Sequence, residues 1–91
     1  MRRYLAAMAA PTEGHTVHAP RGMVCSVDHL ASTAGVGALQ AGGSAADAAV
    51  AASAVLAVTT QHMCGMGGDL FALVHDGSGP PAALSAVGQA G

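Results

Sequence analysis

Ala41–Phe71 reads AGGSAADAAVAASAVLAVTTQHMCGMGGDLF, and the arrangement of the chain follows from this stretch. Gly42 and Gly43 stand where a helix would end, because glycine enters the left-handed C-cap conformation with no Cβ to clash. Ser44 opens the next helix. With Asp47 three residues on, it has capping-box spacing: the Ser44 hydroxyl accepts an orphan amide while Asp47 reaches back to the Ser44 N–H. Asp replaces the usual Glu or Gln, which predicts a weaker reciprocal half, although its charge suits the positive end of a helix. From Ala45 to Val58 only Asp47 and Ser53 are polar. A helix with no face suited to water belongs inside a larger body.

Upstream, Gly22–Val27 (GMVCSV) has the short, unbroken apolar character of a strand covered on both faces. Asp28 or Ser26 would then cap a helix from about His29 to Gln40. Gly35 and Gly37 each cost that helix about 1 kcal/mol relative to alanine, which points to close packing at those positions. Downstream, the glycine-rich run Gly65-Met66-Gly67-Gly68 leads into a strand over Asp69–His75. Asp76-Gly77, with Ser78-Gly79 behind it, signals a hairpin turn, and Ala82–Val87 supplies the return strand. Strand, two helices, glycine loop and hairpin make an α/β (α+β) unit with two packed helices and an incomplete sheet. Residues 1–20 are expected to be a flexible N-terminal segment and 21–91 a partial domain.

Composition says that this unit does not stand alone. Charged residues are 9% of the 91, against roughly 25% in an ordinary globular chain, while 52% are hydrophobic. A small domain has a large surface for its volume and needs polar cover. Three Lys and Arg and a net charge of −2 give no basic footprint for nucleic acid. No window holds the roughly 18 strongly apolar residues of a membrane span. Arg2 and Arg3 precede an apolar run from Tyr4 to Ala10, but the run is short and alanine-rich for a signal sequence. Cytoplasmic residence is the expectation, with secretion or periplasmic export the alternative.

Reactive groups are sparse. His15 and His18 are three apart, but Gly14 and Pro20 argue against a helix that would bring them together, and no third ligand is suitably spaced, so no metal is expected. Cys25 and Cys64 form no CxxC pair and read as buried thiols in a reducing compartment. Gly65-Met66-Gly67-Gly68 fails the G-x-G-x-x-G pattern and precedes a strand, so it is no dinucleotide loop. It reads as a structural turn, Gly65, Gly67 and Gly68, whose backbone passes close to a neighbouring element or a ligand. No nucleophile, base and orienter stand together, and no cofactor is called for.

From Gly22 to Gly77 the chain resembles the amino-terminal part of the large subunit of the gamma-glutamyltranspeptidase family, the glutathione hydrolases. The family's G-G-N-A-x-D-A-A-V-A motif is matched by Gly42, Gly43, Ser44, Ala45, Asp47, Ala48, Ala49, Val50 and Ala51, with Ser44 in place of Asn. Its G-[IM]-G-G-[GD]-x-F loop is matched by Gly65, Met66, Gly67, Gly68, Asp69 and Phe71. The resemblance extends over about residues 21–91. It implies an Ntn-hydrolase αββα sandwich of which this chain is a fragment, made as a longer precursor that cleaves itself into two subunits. The expected partners are the remainder of the large subunit and the small catalytic subunit, whose amino-terminal threonine would attack gamma-glutamyl compounds such as glutathione.

None of Thr12, Thr16, Thr33, Thr59 or Thr60 lies in the family's nucleophile motif, so the chain alone is expected to be inactive and carries no catalytic residue. The family also has an arginine shortly after the hairpin that grips the donor's α-carboxylate. Gln89 stands near that position, and a neutral amide cannot form arginine's charged two-pronged pair. That exchange and the abrupt end suggest a truncated or degenerate product. The alternative function is a noncatalytic small α/β protein that works by binding a partner.

Overall fold

Asp28 starts the first helix. In this computed structural model, which describes residues 16–88, Asp28 is extended (φ −133°, ψ 131°) and its Oδ2 accepts the Ala31 amide at 3.3 Å. Ser26 braces this turn. Its hydroxyl donates to the Asp28 carbonyl at 2.7 Å and lies 2.6 Å from the Ser32 hydroxyl. The helix α1 runs His29–Gln40. It ends in a Schellman pair, with the Gly43 amide on the Ala38 carbonyl at 2.9 Å and the Gly42 amide on the Leu39 carbonyl at 3.0 Å.

The two glycines do different jobs there. Gly42 supplies the left-handed residue, with φ +93°. Gly43 has no positive φ but no room either: a Cβ on it would sit 2.8 Å from the Ala38 carbonyl oxygen and 3.2 Å from the Asp47 side chain. Ser44 then caps α2, Ala45–Thr59.

The helices pack through small residues. Ala31, Gly35, Ala48 and Ala52 form the contact, and Ala31 is wholly buried. A Cβ at Gly35 would fall 2.8 Å from Val24 Cγ1 and 3.2 Å from the Ala48 carbonyl oxygen, so three segments converge on that position. Gly37 faces open space, and the tight packing expected there is not found.

Residues 22–27 do not form the expected strand. They carry no ladder hydrogen bonds and lie against the helix pair, with Val24 in the notch at Gly35. A strand exists only where a neighbour pairs its amides and carbonyls, and no described segment does so here.

The strands β1 (Leu70–Val74) and β2 (Ala82–Ala86) form an antiparallel hairpin in the register Leu70↔Ala86, Ala72↔Leu84, Val74↔Ala82. The turn is wider than the two-residue type suggested by Asp76-Gly77. Residues 75–81 form the connection, with Gly77 and Gly79 at φ +91° and +71°. Its polar groups are satisfied locally: Asp76 accepts the Ser78 amide and hydroxyl, and the Gly77 amide donates to His75 Nδ1. The described elements, two helices followed by two strands, are a mixed α/β arrangement.

The body is open. Among the described residues no large side chain is fully buried. Val50 and Val58 on α2 are 70% and 75% exposed, and Phe71 and Leu73 on β1 are 68% and 79% exposed. Among the described residues, no helix is long and apolar enough to cross a membrane. The apolar run at Tyr4–Ala10, His15 and Gln89 lie outside the described residues.

Candidate functional site

The site is built where α2 ends and the hairpin begins. Thr60 is buried and closes the helix: its amide donates to the Leu56 carbonyl, and its own carbonyl takes the amides of Met63 and Cys64, both at 2.9 Å. That turns the chain out of the helix axis into the glycine run. Gly68 has φ +110°, a conformation that sterically favours glycine. A Cβ on Gly67 would meet nothing within 4 Å, and one on Gly65 would meet the Gly67 carbonyl oxygen at 3.9 Å, an ordinary contact. The loop lies beside the end of the hairpin, where a Cβ built on Gly88 would lie 3.6 Å from Gly68 Cα.

Asp69 holds that contact. Its Oδ1 accepts the Gly88 amide at 2.7 Å, joining the residue before β1 to the second residue after β2. The antiparallel register explains the meeting, since Leu70 opposite Ala86 brings Asp69 beside the chain leaving β2. Reading the sequence in segments missed this bond, because the partners are far apart in sequence and the register depends on the loop length. Gln89 directly follows the pinned residue.

The capping box lies at the other end of α2. The Ser44 amide donates to Asp47 Oδ2 at 2.8 Å, and the Asp47 amide donates to Ser44 Oγ at 3.2 Å. The reciprocal half, expected to be the weaker, is the shorter bond. The Ser44 backbone N–H, and then its hydroxyl, hold the Asp47 carboxyl below the usual carboxylate range. This is a structural junction, remote in sequence from the glycine loop.

Beside α2 runs a groove of about 830 Å³, walled by residues 21–27 on one side and by Ala48, Ala52 and Leu56 on the other. Cys25 and Cys64 both line it, and both are free. Cys25 is exposed and Cys64 half-buried, which corrects the expectation of two buried thiols. The groove is open because no described segment covers it. Among the described residues no three His, Cys, Asp or Glu side chains gather as a metal site.

No described threonine is poised for attack. The hydroxyls of Thr33 and Thr59 donate to the carbonyls of His29 and Val55, four residues back in their helices, at 2.8 and 3.2 Å. Each of these threonines has its amine in a peptide bond, so none can act as its own base. The described residues here form a glycine loop joined to the end of a hairpin by the Asp69–Gly88 bond.

The family model of gamma-glutamyltranspeptidase matches residues 31–91, two thirds of the chain, and the chain belongs to that family. It is 47% identical over 70 residues to the oxamate amidohydrolase proenzyme of Klebsiella pneumoniae, covering 77% of this chain and 13% of that one. To the glutathione hydrolase proenzyme of Escherichia coli it is 44% identical over 70 residues, 77% of this chain and 12% of that one. With the glutathione hydrolase-like YwrD proenzyme of Bacillus subtilis it shares 59% over 49 residues, 54% of this chain and 9% of the relative. The chain thus spans about one eighth of the length of the first two relatives.

Proposed function

We propose that this chain is the amino-terminal part of the large subunit of an Ntn amidohydrolase that transfers or hydrolyses gamma-glutamyl groups, and that it contributes scaffold and one edge of the donor site. The nucleophile in this reading is an amino-terminal threonine carried by other polypeptide. Its hydroxyl attacks the donor amide carbonyl, its free amine takes the proton, and water or an amine acceptor resolves the acyl-enzyme. The relatives' names describe action on glutathione and on oxamate, two amides that also bear a carboxylate. Amide cleavage in a carboxylate-bearing donor is their common chemistry, and it is the substrate class assigned to this chain.

The observation that carries the reading is the two-faced hairpin. Leu70, Ala72 and Val74 border an open cleft with Val50 and Ala54 of α2, Phe71 and Leu73 alternate to the opposite face, and both faces are apolar and largely exposed. A sheet that is apolar and open on both faces suits the middle of an αββα sandwich, where helices cover one side and a second sheet the other. A freestanding structural protein would expose a polar face there.

The test is a chimera in which this chain is joined in frame to the rest of the E. coli glutathione hydrolase proenzyme, replacing the matching 70 residues. Self-cleavage into two subunits and turnover of a chromogenic gamma-glutamyl anilide are expected, with none from the chain alone. A soluble, folded chimera that neither cleaves itself nor turns over substrate would favour the noncatalytic reading.

A further inference from the structure

Of the four aspartates, Asp76 alone precedes a glycine; Asp28, Asp47 and Asp69 are followed by His29, Ala48 and Leu70. The side chains of the hairpin loop converge on the Asp76–Gly77 peptide bond. The Gly77 amide donates to His75 Nδ1 at 3.3 Å, and His75 Nε2 lies 3.0 Å from the Gly79 carbonyl oxygen. A ring nitrogen that accepts carries no hydrogen, so the imidazole is neutral and its one N–H, on Nε2, donates to Gly79. The Asp76 carboxyl is held as well: its Oδ1 accepts the Ser78 amide at 2.9 Å and the Ser78 hydroxyl at 3.0 Å. Gly77, at φ +91°, has no Cβ to crowd its nitrogen against that carboxyl. A nitrogen nucleophile thus has a base on its proton and, beside it, a carbonyl group whose oxygen is met by two donors.

We propose that the His75–Gly79 loop is a self-modification site, at which the Gly77 backbone nitrogen closes on Asp76 Cγ to give a succinimide and, after hydrolysis, isoaspartate. The nitrogen gives its proton to His75 Nδ1 and bonds to Cγ, while the charge developing on Oδ1 is met by the Ser78 amide and hydroxyl. The Cγ–Oδ2 bond then breaks. Oδ2, carrying the carboxyl proton and receiving the one held by His75, leaves as water. A second water attacks the main-chain carbonyl carbon of the ring and breaks its bond to nitrogen, so that Asp76 is joined to Gly77 through Cγ. One water is lost and one regained, with no oxidant or other co-reactant. The carboxyl reacts in its protonated form, and the Ser78 amide, then its hydroxyl, hold Asp76 below the usual carboxylate range. At neutral pH the reaction therefore draws on a small fraction of the chains and is slow, an ageing reaction. Its product adds one main-chain carbon to the connection between β1 and β2 and takes the carboxylate away from Ser78.

The experiment ages the same chimera at neutral pH, folded and in urea. Isoaspartate is followed with an endoproteinase that cuts before aspartate but not before isoaspartate, and located by electron-transfer fragmentation of the uncut peptide. It should form at position 76 about tenfold faster in the folded protein than in urea, where the neighbours of Asp76 are no longer held in place. Asp28, Asp47 and Asp69 should yield none. His75→Ala should bring the folded rate down to the urea rate. His75→Gln separates proton transfer from loop geometry, because an amide oxygen accepts the Gly77 N–H but cannot take its proton. It too should lose the acceleration, and it serves where the alanine form does not accumulate. Asp76→Glu, which would need a larger ring, should give no product and so identifies the signal. A folded rate equal to or below that in urea, or a His75→Gln protein that ages as fast as the parent, overturns the proposal. Turnover is not read, so a folded chimera without activity decides it equally well.

Discussion

Two glycines of α1, two positions apart, make the same substitution act with opposite sign. Gly35 is buried, with Val24 and the Ala48 carbonyl where a Cβ would project, so Gly35→Ala should destabilise by about 1–3 kcal/mol through overpacking. Gly37 is open on that side, and Gly37→Ala should stabilise by about 1 kcal/mol through helix propensity and a less disordered unfolded chain. Urea midpoints of the two variants in the chimera should shift in opposite directions; a shared direction would mean that Val24 does not occupy the notch. At the junction, Ser44→Ala removes the cap and should cost about 1 kcal/mol. Gly43→Val should cost more, through collision with the Ala38 carbonyl and not through a left-handed φ. Asp47 adds a pH dependence. Its folded pKa lies below the unfolded value because the Ser44 amide and hydroxyl bind the charged form, so its contribution is full above about pH 4 and is lost as pH falls through the depressed value. Asp47→Asn should flatten the melting temperature between about pH 2 and 5 relative to the parent.

At the scale of elements, the helix pair and the hairpin are held by different means. The α1–α2 contact is built from alanine and glycine, which allow close approach of the backbones but bury little apolar area. Its definition therefore comes from the termini: the Schellman close, the capping box and the Ser26 brace. The hairpin has a self-satisfied loop at one end and the Asp69–Gly88 bond at the other, and its Phe71 and Leu73 face is bare. Replacing Phe71 and Leu73 by threonine keeps strand propensity while removing apolar surface. In the chain alone this double variant should increase the soluble fraction; in the chimera it should lower the melting temperature, since the face is then covered. Improved solubility with no loss in the chimera would show that no second sheet packs there.

For the whole molecule, apolar exposure over α2 and the hairpin, together with unpaired sheet edges, predicts that residues 1–91 alone aggregate. A sharp monomer peak in size-exclusion chromatography with cooperative thermal unfolding would contradict this. The catalytic expectation belongs to the same scale. In the chimera, Gln89→Arg should raise kcat/KM for a gamma-glutamyl donor by about tenfold or more, because a guanidinium pairs with the donor carboxylate where an amide offers a single neutral hydrogen bond. Equal values for Gln and Arg would place donor recognition on another group.

What the sequence determined by itself was local. Helix bounds near Gln40 and Ala45, the Ser44–Asp47 cap and the two strands all follow from interactions within a few residues, and the motif order identified the family. Tertiary structure decided what depends on distant partners. Residues 22–27 have strand composition but pair with no described segment, because a ladder requires a neighbour that their own side chains cannot supply. Gly35 and Gly37 look alike in sequence, yet only Gly35 faces Val24 and the Ala48 carbonyl. Cys25 and Cys64 came to share one groove through the packing of the 22–27 segment along α2. Asp69 found Gly88 through the register of the hairpin, which the seven-residue connection sets, and the bond closing the candidate site is a property of that geometry.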